Sequence, residues 1–178
     1  MPFTADELDW TKAVVGFVSV GMPAIERNQP LPPQIAQDMR SLLVDLGGDA
    51  MVIGAMKACD VAIKRLTLSS DRSLTEAGEQ IGEILDRIRG EDRFGFGPAA
   101  YDDGKRCAVI MTEAMVGNGR GDFSSVFNVN DPNVTLNAFR AWVALLAAMT
   151  LTLSVFHSMS VSEASRTLAL EVATIEVN

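Results

Sequence analysis

One histidine, His157, is all the imidazole that 178 residues contain, and that scarcity removes whole classes of chemistry. Zinc sites built on two or three histidines, H-E-x-x-H helices and the paired E-x-x-H motifs of di-iron bundles all need more than one. A Ser-His-Asp relay would have to use His157, and no G-x-S-x-G elbow accompanies it. Beside Phe156 and Met159, it reads as a helix-end histidine that is partly buried or bonded to a carbonyl. Cysteine is nearly as scarce. Cys59 and Cys107 form no C-x-x-C pair and read as small core hydrophobes in a reducing, cytoplasmic setting rather than as a disulfide. No metal or cofactor is expected.

Positive charge is also in deficit. Fifteen bases stand against 23 acids, a formal charge of −8 with no run of Lys and Arg to reverse it locally; such a chain repels phosphate backbones, so nucleic acid is not an expected partner. Three acids precede Lys12, the first base, the reverse of a signal peptide's basic start.

What the sequence has in quantity is helical periodicity. The 3.6-residue spacing, broken by Gly and Pro, predicts a single all-α domain over 1–178, a bundle of about seven helices. The first opens at the capping box Thr4-Ala5-Asp6-Glu7 and runs to Gly21 and Pro23. A second begins near Pro33 with Ile35, Met39, Leu42 and Leu46 on one face, and Gly47-Gly48 stops it. A third, 49–66, places Val52, Met56, Cys59, Ile63 and Leu66 on one stripe and Lys57, Asp60 and Lys64 off it. The Ser73–Glu76 box opens a fourth with the stripe Leu74, Ala77, Ile81, Leu85 and Ile88, ended by Gly90. Residues 90–103 read as a long aromatic, Gly-bearing loop before a fifth helix at about 104–116, whose apolar face holds Cys107, Ile110 and Ala114. A third box, Ser160–Glu163, starts the last segment, where β-branched residues in 167–177 compete with a helical stripe; helix is the reading adopted.

The sixth helix, about 134–158, is the most apolar. No formal charge occurs from Ala141 to Ser162, a length that would allow a membrane span. Thr150, Thr152, Ser154, His157, Ser158 and Ser160 dilute its second half. Large residues (Leu136, Phe139, Val143, Leu146, Met149, Leu153, Phe156) and small ones (Ala141, Ala144, Ala148, Thr152) fall on different faces. A central, all-round buried helix is expected, with no membrane span.

The stretch GNGRGDFSSVFNVNDPN, 117–133, invites several functional readings. Its glycines follow a helix rather than a strand and complete neither G-x-G-x-x-G nor the Walker pattern. Asn128, Asn130 and Asp131 lack the Gly and Glu of an EF-hand loop, and Asx-turn chemistry before a helix explains them. Gly117 is expected to cap the fifth helix, with Phe123, Val126 and Phe127 pinning the connection to the core. Connections this long are uncommon unless they bind something, so Arg120, Asp122 and Phe123 are the candidate partner loop.

Glu113, inside VIMTEAMV, is the acid with the most apolar sequence neighbours, although the stripe around Cys107 also permits a solvent-facing position; Arg140 is its candidate partner. With 48% hydrophobic and 21% charged residues, the chain carries apolar surface that seven short helices need not hide. The leading functional expectation is therefore protein–protein association, a homo-oligomer with a dimer as default, and catalysis ranks last. The candidate face joins Val14–Met22 to Leu168–Val177, represented by Phe17 and Leu170. The alternative is a helical pocket for a small apolar ligand, lined by some of the nine Met and eight Phe residues.

Overall fold

A computed structural model describes residues 2–27, 29, 32–46, 48–68, 73–92, 94–117 and 121–177, without the side chains of 25, 26, 35, 36, 39, 40, 42, 43 and 46. Among the described residues there are seven helices and no strand: α1 (Ala5–Glu26), α2 (Pro33–Leu46), α3 (Gly48–Leu68), α4 (Leu74–Glu91), α5 (Pro98–Met115), α6 (Val134–Phe156) and α7 (Val161–Ala173). The expected stripe of α2, Ile35 to Leu46, and the stop at Gly47 lie outside the described residues.

The helix starts follow their caps. Thr4 N–H donates to Glu7 Oε2 at 3.0 Å while Glu7 N–H donates to Thr4 Oγ1 at 3.2 Å, and Ser160 and Glu163 repeat that exchange at 3.1 Å each way. Ser73 Oγ accepts from Glu76 N–H at 3.1 Å. Each side chain satisfies a backbone donor that the first helical turn leaves open.

Four boundaries differ from the sequence reading. Helix α7 ends at Ala173 and residues 174–177 are not helical, although helix was expected to 177; β-branched Thr174, Ile175 and Val177 lower the helix propensity there. Helix α1 continues through Pro23 to Glu26; the proline ring removes one hydrogen bond and crowds the carbonyl four residues back, but the helix runs on for most of one more turn before it ends. Helix α4 passes Gly90 to Glu91, and Asp92 takes the left-handed cap at φ 39°. Helix α5 starts at Pro98, six residues earlier than expected, because proline suits the first helical position, where no N–H is needed. The supposed long loop over 90–103 thus shrinks to residues 92–97.

Helix α6 lies at the centre. Apart from half-buried Arg140, every residue from Ala138 to Leu153 is buried, with α1, α3, α4, α5 and α7 packed around it. By length and composition it could cross a membrane, yet 78% of its most apolar stretch is buried against the other helices. Leu136, expected on its large buried face, is exposed near the N-terminal end. The hydroxyls of Thr150 and Thr152 donate to the carbonyls of Leu146 and Ala148, both at 2.8 Å, which satisfies them without a partner helix.

Two glycines set how closely the shell approaches. A Cβ on Gly104 would sit 3.0 Å from the Ala141 carbonyl oxygen, where α5 crosses α6. One on Gly54 would sit 2.5 Å from Trp10 Cβ and 2.8 Å from the Glu7 carbonyl oxygen, where α3 crosses α1. At the latter crossing Thr11 Oγ1 lies 2.9 Å from the Gly54 carbonyl. On the other side of α3, Cys59 Sγ donates to the Trp142 carbonyl at 3.2 Å. Only glycine permits such backbone approach without displacement.

Lys57 corrects the α3 stripe. Expected on the solvated side, it is buried at 6% exposure, ion-paired to Glu7, bonded to the Pro2 carbonyl at 2.7 Å and placed 4.7 Å from the Phe3 ring centroid. The segment ahead of α1 folds over it. Its ammonium ties together the Glu7 carboxylate, a carbonyl and an aromatic face, which is what a buried cation requires.

Candidate functional site

The connection between α5 and α6 begins as a capped helix end. Gly117 takes φ 80° just past α5, and its N–H donates to the Ala114 carbonyl at 3.2 Å. Arg120 lies outside the described residues. Gly121 is again left-handed at φ 65°, a conformation costly for any residue with a Cβ, and its backbone lies against Ala114 on α5. The chain therefore doubles back along the helix it has just left.

From there the segment is built from local turns. Asp122 accepts from Ser124 N–H at 2.9 Å, Asn128 from Asn130 N–H at 3.0 Å and Asp131 from Asn133 N–H at 2.8 Å. Each is an Asx turn, so acceptors that resembled cation ligands in the sequence hold the backbone instead. The Ser124 bonds lower the Asp122 pKa below the ordinary carboxylate value. Phe123 is half-buried, its ring edge-on to the buried Trp142 at 4.9 Å between centroids. Phe123, Val126 and Phe127 all pack on the core, as the sequence suggested.

Phe123 and Gly121 close one wall of a cleft of ≈ 410 Å³. Met56 and Asp60 from α3 and Met111 and Met115 from α5 supply the other walls. Helical spacing explains the pairs, since 56 with 60 and 111 with 115 are i, i+4 neighbours. The sequence placed Met56 in a core stripe and Asp60 off it, but gave no sign that they meet Met111 and Met115. That meeting depends on where α3 and α5 lie on either side of α6. Among the described lining residues Asp60 carries the one formal charge; its carboxylate accepts from Lys64 Nζ at 2.7 Å, and both side chains remain partly exposed.

A second cleft, ≈ 370 Å³, lies between α4 and α5. Leu74, Gly78, Gly82, Val109, Thr112 and Val116 line it with Glu79, Glu113 and Lys105, the last paired to Asp86 at 2.8 Å. Between the two clefts, the end of α5 exposes Val109, Met115 and Val116.

The other sequence candidates are scattered. Glu113 is exposed, on the solvent-facing side that the Cys107 stripe allowed. Arg140 and His157, both half-buried, lie 17 residues apart on and just past α6, about 25 Å at the helical rise, so the three form no common polar site. His157 caps the C-terminus of α6, its backbone N–H reaching the Leu153 carbonyl. Phe17 is half-buried, 6.0 Å from Phe94 between ring centroids, whereas Leu170 is 63% exposed. The segments they represent pack on each other: Val14, Val15, Val18 and Met22 of α1 are buried, as are Leu168 and Val172 of α7.

Two further clusters are structural. Asp92 Oδ1 accepts from Phe96 N–H at 3.0 Å and from the Tyr101 hydroxyl at 2.7 Å, while Oδ2 accepts from Gly97 N–H at 3.1 Å. The Tyr101 bond, with help from the two backbone donors, holds the Asp92 carboxyl below its ordinary value although burial opposes it. Burial, then the hydrogen bond to Asp92 and its charge, pushes the Tyr101 hydroxyl above its ordinary 10.0. Burial also raises both thiols, Cys107 to about 12, leaving them protonated and unreactive at neutral pH.

What the geometry offers, then, is a half-open, thioether-lined cleft with one carboxylate at its mouth and a long connection as one wall. Comparison with known proteins adds no relative, for no family model, curated protein or solved structure matches the chain.

Proposed function

We propose that this chain is a binding protein and that the cleft between α3, α5 and the 121–127 connection receives the apolar part of a small ligand. One observation carries the reading: Met56, Met111, Met115 and Phe123, from three separate elements, converge on one ≈ 410 Å³ space. That volume suits a small organic molecule. Methionine is unbranched and polarisable, so its side chains fit themselves to varied shapes. The connection's long span also has a use here, as a wall that can adjust while its turns stay intact.

Association with another protein is the second reading. Exposed Val109, Met115 and Val116 on the end of α5 support it, since clustered apolar side chains favour contact with a partner. It ranks second because α1 and α7, whose apolar residues motivated it, cover much of each other.

The test uses protein labelled at its methionine methyl groups and titrated with neutral 4-phenylbutan-1-ol. The Met56, Met111 and Met115 resonances are expected to move together and saturate, with methionines elsewhere unmoved. Resonances that all stay still, or all move alike, would remove the cleft as the site. Sedimentation measured at rising protein concentration tests the second reading.

A further inference from the structure

Resting on the cleft reading, we propose that the ligand is an amphiphilic organic cation: an apolar tail carrying an ammonium group. The tail lies among Met56, Met111, Met115 and Phe123, and the ammonium meets the Asp60 carboxylate at the mouth.

Four observations point to a positive head. Asp60 is the one formally charged residue among the described cleft walls. Its present partner, Lys64, is a neighbour on the same helix, and both side chains are well enough exposed to rearrange, at 33% and 52%. An exposed i, i+4 pair of this kind is weak, so a second ammonium can share the carboxylate or displace the lysine. The protein's net charge of −8 also attracts cations and repels anions before any contact is made. The lining itself suits such a head group, because thioether sulfur and an aromatic face are both electron-rich. A carboxylate head would be repelled by Asp60, and a neutral hydroxyl would gain a hydrogen bond from it without the charge attraction.

The experiment compares 4-phenylbutylammonium, 4-phenylbutan-1-ol and 4-phenylbutyrate, which share one tail, on the full chain by methionine-methyl spectroscopy. The ammonium is expected to bind about threefold tighter than the alcohol, a rim-charge effect that shrinks as salt rises, and the carboxylate weakest of all. Asp60→Asn should cancel the ammonium's advantage over the alcohol. Lys64→Ala, which frees the carboxylate, should enlarge that advantage about twofold. Equal binding of ammonium and alcohol overturns the cation proposal while leaving the apolar cleft standing. No shift with any of the three overturns both. Shifts of the same methionines on raising protein concentration alone would show a second copy covering the cleft and would also overturn the proposal.

Discussion

The two loops that flank α5 are built on opposite plans. Residues 92 and 94–97 are gathered around one carboxylate. Asp92 takes donors from Phe96, Gly97 and Tyr101, and Phe94 stacks on Phe96 at 5.2 Å with Phe17 and Tyr101 alongside. After Gly121, by contrast, three acceptors each take a backbone donor two residues ahead, Asp131 also accepts from the Asn137 side chain on α6 at 3.3 Å, and Phe123, Val126 and Phe127 pack the described segment on the core. In the first loop the polar and apolar interactions reinforce each other and link three elements. In the second the apolar contacts and the turn acceptors fall on different residues, and the described polar tie to a helix is the Asp131–Asn137 bond at its C-terminal end. A lock centred on one carboxylate and a run of local turns are thus made from much the same residue types.

Removing Asp92 is the strongest way to break that contrast. Asp92→Ala leaves the hydroxyl of Tyr101, 1% exposed, without its partner and frees two backbone donors; the expected cost is about 3 kcal/mol, or roughly 9 °C in Tm for a chain of this size. Next comes Phe123→Ala, which strips the half-buried ring from Trp142 at about 2 kcal/mol. It should also abolish the cleft response in the methionine spectra, whereas Asp92→Ala should spare it below the melting range.

Tyr101 is the only tyrosine, so tyrosinate absorbance reports it alone. Its folded pKa is raised above 10.0, and the stability this contributes is full below pH 10 and is lost as pH rises through the folded value. The titration should therefore begin above the usual tyrosine range and coincide with loss of helix; an ordinary reversible titration near pH 10 would mean the lock is open. Asp92 has the opposite sign. Its folded pKa lies below 3.8, so its contribution is full above that value and disappears as pH falls through the folded one. Asp92→Asn should flatten the acid limb of a stability profile. The smallest effect is expected for Asp122→Ala, in which an exposed turn loses one acceptor. Its Tm should match the parent's within error, and a large drop would show that the second loop is locked after all.

Local signals in the sequence were read well, and non-local ones were not. The boxes at Thr4 and Ser160 need only residues three apart, and the burial of α6 follows from its lack of charge over two turns and more. Pro98 was legible in principle as a first-turn proline, but the glycines and aromatics around it resembled a loop. Lys57 was not legible, because its burial depends on a segment more than 50 residues earlier folding over it. The methionine cleft was anticipated only as a residue type. Which methionines meet is decided by how α3 and α5 straddle α6.

The central position of α6 also bears on how the chain emerges during synthesis. Among the described helices, four of the five packed around it, α1, α3, α4 and α5, precede it in the chain. As the chain is synthesised those four emerge first, with the trough that will hold Ala138–Leu153 still empty and its apolar walls wet. They cannot complete a core among themselves. Helix α6 then arrives with a stretch from Ala141 onward that carries no formal charge and that, until seated, exposes apolar surface to a lipid surface or a chaperone as well as to its own trough. Prompt seating of one late helix thus separates a folded chain from a sticky intermediate.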